Sequence, residues 1–459
     1  MIWTSKEATI ATQGKTFSNW VSGKIVFDSR LIEVGDTFLA LPGANSDGHD
    51  HIEMAFNKGA AAAIVERIPE GIDTKKLLLV KSSTKALNDL AHYKRSKSKA
   101  IFIAITGSVG KTSTKELLSL AFSAHGKTFS SRGNYNNYLG VPINLASMPN
   151  NTKYAIIEIG MDHANEITPL TKMVKPNIAI ITGIEHIHQA NFSSIEGIAE
   201  AKAEIFLGLK YNSTAIINSQ SNCYDLLNQH AVNNPNITRI INIGKDSKII
   251  SYKIENNNTK AELNILNKKT EVNLDGIVGI HQIHNIVITL STIESLSLNI
   301  KESNTKLEKF ELPQGRGKIS HININNKNIT LIDDSYNAGP VSIKAALKNM
   351  SNYTGRKIAI LGDMVDMGPN SLEMHLALKD DIIENNIDKV ICFGKQMKHL
   401  QETLPDNKQY GHYISLKELA KDLPIKLKSD DILLIKGSFY LTKLYNFTQH
   451  LREGTLDAL

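Results

Sequence analysis

The apolar run AIFIAI, ending at Ile105, leads through Thr106 into GSVGKTSTKEL, Gly107–Leu117. This join restricts the fold more than any other stretch of the chain. A continuous apolar, β-branched run predicts a strand buried on both faces, two glycines allow a sharp turn, and Lys-Thr-Ser opens a helix. Successive N–H groups of such a loop, with the partial positive charge of the helix N-terminus, form a concavity for an anion. The spacing G-x-x-G-K-T is met by Gly107, Gly110, Lys111 and Thr112. The longer G-x-x-x-x-G-K-[ST] pattern is not, because Ile105 stands where its first glycine belongs. The loop predicts a nucleotide site made of Gly107, Ser108, Val109, Gly110, Lys111, Thr112 and Ser113. Lys111 would reach the β- and γ-phosphates, and the Thr112 hydroxyl would bind Mg²⁺. The bland alternative is a strand–turn–helix junction with a chance lysine; strand, GKTS and helix together weigh against it. The loop alone does not separate a kinase, a GTPase, an ATPase and a ligase.

The 459 residues suggest about three domains, and 41% hydrophobic with 21% charged residues is an ordinary globular composition. A net charge of +6, spread along the chain, is too mild to argue nucleic acid. Cys223 and Cys392 lie far apart and form no C-x-x-C pair, which fits a reducing compartment and no structural zinc site. The N-terminus lacks an apolar signal region, and no apolar run has membrane-spanning length. The expected location is the cytoplasm, away from membranes.

The expected fold class is α/β in three domains. Residues 1–83 read as a small α/β unit, with TFLAL a strand, HIEMAFNKGA a helix stopped at Gly59, and AAAIVE the next strand. A connecting helix follows, carrying Leu87, Leu90 and Ala91. Residues 84–312 hold the strand-like runs IFIAIT, YAIIEIG, NIAIIT and STAIINS between helices, which predicts a mostly parallel sheet. From Ile240 to Gly276 short alternating runs separated by Asn-rich turns predict antiparallel hairpins packed onto it. Residues 313–459 again alternate strands and helices, in a Rossmann-like pattern. Ligands of open α/β sheets sit beyond the carboxyl ends of the strands, so two such sheets predict a cleft between domains.

Three more residues point to the loop. Glu158 ends YAIIEIG, His188 follows NIAIIT, and Lys202 lies on the helix of SSIEGIAEAKAEIF. Singly, each has a bland reading: a surface acid, a satisfied loop histidine, and a solvated lysine paired with Glu200 or Glu204. Together, the acid and the histidine fall where a metal would bind. The lysine is an odd companion, since an ammonium repels Mg²⁺.

The stretches TGSVGKTS, GNYNNYLGVP, EIGMDHANEI, EGIAEAKAEIF, GIHQIHN, GRGK, DDSYNAGP and LGDMVDMG resemble the Mur ligases, in order and over nearly the whole chain. The resemblance implies an N-terminal domain for the UDP end of the substrate, a central ATPase domain and a C-terminal ligase domain. GNYNNYLGVP and DDSYNAGP point to the member that uses UDP-N-acetylmuramoyl-tripeptide and D-alanyl-D-alanine. It implies ATP-dependent amide formation through an acyl phosphate, with ATP and two Mg²⁺ ions. Lys202 would be carbamylated by CO₂ and so become an anionic metal ligand beside Thr112, Glu158 and His188. Lys111, Glu158, His188 and Lys202 form the implied catalytic set. Asn285 would contact adenine, Arg316 the phosphates, and Asp334 the ribose or γ-phosphate region. Ser29 and Arg30 would meet the uridine end, and Asn134, Asn136 and Asn137 the muramoyl-peptide. A monomer is expected.

The chain departs from the family pattern at several positions. Gln282 replaces an Asn, Gly183 another Asn, Gln189–Ala190 a Leu–Glu pair, His51 an aromatic residue and Phe439 an Arg. Three rival readings stand beside the main one. These are another amide ligase of the same fold, including one that adds glutamate to folate, a P-loop ATPase of another class, and a non-catalytic UDP-glycopeptide binding protein. No Ser-His-Asp or Cys-His arrangement competes with them.

Overall fold

The computed structural model describes residues 1–43, 46–185, 191–255, 258–365 and 367–459. Among these, three larger sheets follow one another along the chain. The first has the strand order Lys15–Thr16, Leu77–Leu79, Ala62–Val65, Thr37–Leu39 and Ile25–Val26. The helix Ile52–Asn57 ends before Gly59, whose φ of +98° lets its N–H return to Phe56. The connecting helix Ser83–Lys97 is capped by Ser82. Its Ala86, Leu87 and Leu90 share one core with Trp3, Ala8 and Trp20. At its far end Arg95 donates to the carbonyls of Val174 and Lys175. This helix therefore ties the first sheet to the second.

The second sheet has nine strands. Ile101–Thr106 lies between Tyr154–Glu158 and Ile178–Ile181, parallel to both. Both faces are covered. Phe102 and Ala104 belong to one core, Ile103 and Ile105 to the other, and all four are fully buried. That is why the run is continuously apolar instead of alternating. Each such Ile or Phe contributes about 1.5–3 kcal/mol by leaving water. The registers put Glu158 opposite Ile105 and Ile181 opposite Thr106, so both neighbours end level with the glycine loop.

The hairpin strands Ser247–Glu255, Asn258–Ile265 and Lys268–Asp275 do not lie on a face of this sheet. They extend its edge, joined through the single parallel pair Ile243 and Ser247. The helix Ile280–Ser295 covers them, packing Ile283 and Ile286 against Leu263 and Leu274.

The third sheet has the order Lys318–Ile324, Lys327–Asp334, Asp431–Lys436, Lys357–Gly362, Lys389–Phe393 and Gln409–Tyr413. Its first pair is antiparallel and the rest are parallel. Asp334 lies in register with Lys436 on the neighbouring strand, which brings an acid and a base to one strand end.

Candidate active site

The glycine loop is shaped by its neighbours. Gly107 has φ +148°, and a Cβ there would stand 2.0 Å from Thr182 Oγ1; Gly110 has φ +80°, and its Cβ would be 3.0 Å from Asn285 Oδ1. Only glycine fits at Gly107, and Gly110 is both left-handed and crowded. Thr182 Oγ1 donates to Val109 O at 2.5 Å, and Ser108 N donates to Gly183 O at 2.8 Å. Lys111, the first residue of the helix Lys111–Ser123, donates to the loop carbonyls of Gly107 at 2.7 Å and Ser108 at 3.4 Å. Burial lowers its proton affinity; Glu158 and Asp162 oppose that, and Arg316 adds to it. Thr112 follows on the same turn, half-buried, and Ser113 is buried.

Glu158 is 2% exposed. Its N–H donates to Ser131 Oγ, and its Oε1 accepts from Asn136 Nδ2 at 2.9 Å. Its Oε2 is buried with no donor among the described residues. An unmet carboxylate oxygen is costly, so this atom points to a ligand beyond the side chains.

Lys202 is 1% exposed, which overturns the reading of a solvated lysine. The acids offered as its partners are engaged elsewhere. Glu200 pairs with His230 at 2.7 Å, and Glu204 accepts from Asn165 N at 2.5 Å and Thr168 N at 2.9 Å. Burial pushes the Lys202 amine well below its ordinary range; Lys111 adds to this, and Asp162 opposes it. His188 lies outside the described residues. Among the described residues no three His, Cys, Asp or Glu side chains gather as a metal cluster.

Asn285 is buried on the helix Ile280–Ser295 and donates to Gln282 Oε1 at 3.2 Å. Gln282, 4% exposed, thus holds Asn285 against Gly110. From the turn leading into the third sheet, Arg316 stacks over the Tyr336 ring at 4.2 Å. Asp334 Oδ2 accepts from Lys436 Nζ at 2.5 Å. Burial raises the Asp334 carboxyl, and Lys436 holds it back. Asn134 Nδ2 donates to Tyr440 OH at 3.3 Å, so this segment of the second unit touches the third.

The segment Asn134–Asn137 divides. Asn136 faces Glu158, and its carbonyl accepts from Gly160 N at 2.8 Å. Asn137 Oδ1 accepts from Leu139 N and Gly140 N, at the start of the helix Gly140–Ala146. In the first unit Ser29 is buried, with its hydroxyl 3.4 Å from Met54 Sδ. Arg30 is exposed and pairs with Asp28 through both Nε and Nη2. Close by, a cavity of about 200 Å³ lies between Ile25, Phe27 and Leu31 of this unit and Arg132 and Tyr135 of the next.

Three charged residues of the site were not foreseen from the sequence. Lys115 is fully buried one turn after Lys111 and donates to Ser131 O at 2.9 Å and Gly133 O at 3.2 Å. It holds the stretch that carries the Glu158 contact. Asp162 acts on both Lys111 and Lys202. Lys436 is 2% exposed and holds Asp334. The only signal was position: an acid four residues past Glu158, and a lysine ending the strand DILLIK.

Known proteins match this arrangement. Residues 24–95 match the model of the Mur ligase family catalytic domain, 105–293 the Mur ligase middle domain, and 319–439 the Mur ligase glutamate ligase domain. The UDP-N-acetylmuramoyl-tripeptide–D-alanyl-D-alanine ligase of Rickettsia prowazekii is 41% identical, over 95% of this chain and 97% of its own. A crystal structure of MurF from Acinetobacter baumannii superposes with a TM-score of 0.83 at 28% identity, covering 98% of this chain and 99% of that one. MurF from Thermotoga maritima in complex with ADP gives 0.77 at 25% identity, covering 95% and 98%. Domain order, glycine loop and relatives agree, and the chain belongs to the Mur ligase family.

Proposed function

We propose that this chain is the ATP-dependent ligase that adds D-alanyl-D-alanine to UDP-N-acetylmuramoyl-tripeptide, a step of peptidoglycan precursor synthesis. The observation that carries this is the glycine loop closed over by Thr182 and Asn285, with the buried Glu158 carboxylate ending the adjacent strand, in a chain 41% identical to such a ligase over nearly its full length.

The reaction brings a carboxylate against a triphosphate, and the task is to offset that repulsion and align the groups. A carboxylate oxygen of the tripeptide bonds to the γ-phosphorus as ADP leaves. The amine of D-alanyl-D-alanine then attacks the carbonyl carbon, and phosphate departs with the carboxylate oxygen. Lys111 turns from the carbonyls of Gly107 and Ser108 to the phosphates, while the loop N–H groups cradle them. Arg316 meets the phosphates from the opposite wall. Asn285, held by Gln282, borders the adenine, and Asp334, held by Lys436, borders the ribose.

The residues fit Mg²⁺. The Oε2 of Glu158, without a donor among the described residues, and the Thr112 hydroxyl are the hard oxygen donors that ion prefers. When bound, two Mg²⁺ ions would screen the charge between carboxylate and triphosphate. His188 and Lys202 would complete the set, Lys202 as a CO₂-derived carbamate. A buried lysine with its amine pushed toward the neutral form is suited to that, because only the neutral amine adds CO₂.

We assign the UDP end to residues 1–83, through Ser29, Arg30 and the cavity beside Phe27 and Tyr135. ATP falls to residues 84–312, and the incoming dipeptide to residues 313–459. Asn134, Asn136 and Asn137 would border the muramoyl-peptide, with Asn136 also steadying Glu158. A monomer is expected to carry out the reaction. No helix among the described residues is long and apolar enough to cross a membrane, and we place the reaction in the cytoplasm.

A phosphate-release assay with ATP, Mg²⁺, UDP-N-acetylmuramoyl-tripeptide and D-alanyl-D-alanine, omitting each in turn, tests this reading. Release is expected only with all four. Release with glutamate in place of the dipeptide, or without any amine, would contradict it.

A further inference from the structure

Phe439 stands where the family pattern has an arginine, and the proposed reaction leaves it without a role. It does not point into an empty space. Its ring lies 5.6 Å from Tyr336, 5.3 Å from Tyr445 and 5.3 Å from Tyr440. Tyr336 and Tyr445 meet edge to face at 6.0 Å. On Tyr336 lies the Arg316 guanidinium, at 4.2 Å from the ring centroid.

The backbone locks this cluster to the turn that carries Arg316. Gly315 has φ +74°, and a Cβ there would stand 2.9 Å from both Tyr336 Cβ and Tyr445 Cδ2. Gly315 N donates to Asp333 Oδ2 at 3.1 Å, Gly317 N to Asp333 O at 2.7 Å, and Tyr336 N to Gly315 O at 3.0 Å. Phe439 N donates to Tyr336 O at 3.1 Å. Asp333 is itself fully buried and paired with Arg452. The turn thus has little freedom, and the Arg316 side chain has a planar surface on which to lie.

We propose that Tyr336, Phe439 and Tyr445 form an aromatic platform that aims Arg316 across the cleft at the phosphate loop. Arg316 is the group that touches phosphate; Tyr336 and Phe439 are positioning residues that act through it. A guanidinium stacks on aromatic faces and keeps its in-plane donors free, so the stack orients Arg316 without consuming its hydrogen bonds. An arginine at position 439 would set a second cation beside Arg316, whereas Phe439 extends the surface. The electrostatic influence of Arg316 on Lys111 is consistent with that aim. The inference rests on reading the glycine loop as the ATP site.

A double-mutant cycle tests it, read in two ways: affinity for AMP-PNP with Mg²⁺, and kcat of the ligase reaction. Tyr336→Leu and Phe439→Leu are each expected to lower AMP-PNP affinity and kcat by about tenfold, with KM for the UDP-glycopeptide unchanged. Tyr336→Phe, which keeps the ring, should stay within about twofold of wild type. In an Arg316→Ala background, Tyr336→Leu should cost less than about twofold more. Equal losses from Tyr336→Leu with and without Arg316 would overturn the platform, as would full activity of Phe439→Leu. The affinity reading needs no turnover. A chain that binds AMP-PNP with the expected coupling but makes no amide would refute the proposed reaction and leave the platform standing.

Discussion

Asn136 Nδ2 donates to Glu158 Oε1 at 2.9 Å, and the other oxygen of that carboxylate is buried with no donor among the described residues. Asn136 thus fixes one oxygen and leaves its twin for a ligand. Glu158→Gln keeps the shape and removes the charge. It should lower kcat by about 10²–10³-fold, as loss of a preorganised electrostatic contact does. Asn136→Ala should act through Glu158, raising the Mg²⁺ concentration for half-maximal rate by about tenfold. A magnesium titration of both variants separates the two roles. An unchanged Mg²⁺ requirement in Asn136→Ala would count against this pairing.

Lys111→Ala should fold normally, because the hydrogen bonds of the ammonium among the described residues go to carbonyls of its own loop. Turnover should fall by about 10²–10³-fold. Near-normal turnover would rule out the phosphate role. Gly107→Ala should be worse, since its Cβ would displace Thr182 from the loop; a fully active Gly107→Ala protein would contradict the described geometry.

Lys202 separates a carbamate from a merely buried amine. Lys202→Ala should be nearly inactive and partly rescued by formate or acetate, which could occupy the vacated position. Lys202→Arg should stay inactive, because a guanidinium adds no CO₂ under these conditions. High activity in Lys202→Arg would remove Lys202 from the metal set.

Arg30→Ala should raise KM for the UDP-glycopeptide with KM for ATP nearly unchanged, since Arg30 sits in the first unit, remote from the glycine loop. Its side chain is exposed and its ion pair among the described residues is with Asp28, so the melting temperature should hardly move. Parallel increases in both KM values would contradict this division of the substrates.

Lys94 links the N-terminus to the central unit. It donates to Ile2 O and Asn150 Oδ1 and lies over the Trp3 ring. Burial lowers its proton affinity to about 8. Between about pH 8 and the usual lysine value near 10.4, the unfolded chain binds more protons at this site than the folded one. Stability from this residue therefore rises with pH across that window. Melting curves of Lys94→Met against wild type should show a shallower rise there; an identical slope would refute the assignment.

Much of this is legible in the sequence. The glycine loop declared itself because strand, turn and helix each have a local pattern, and these agree at one place. Glu158 was legible because it ends a buried strand beside that loop. The charges at Lys115, Lys202 and Lys436 were not legible as buried, because burial depends on what packs over a residue from distant segments. Asn137 carried the same Asn signal as Asn136, yet one accepts from the backbone where a helix begins and the other grips Glu158. The hairpins after Ile243 were legible as hairpins. Their place at the sheet edge follows from one backbone pair with Ser247, which leaves no mark in the side-chain pattern.

The central claim is that a substrate carboxylate attacks the γ-phosphate. It is tested most directly with UDP-N-acetylmuramoyl-tripeptide labelled with ¹⁸O in its terminal carboxylate. Mass spectrometry of the phosphate released in the presence of ATP, Mg²⁺ and D-alanyl-D-alanine should show one ¹⁸O per phosphate, matched by one amide product. Phosphate free of ¹⁸O would mean that water, not the carboxylate, took the phosphoryl group, and would contradict the account.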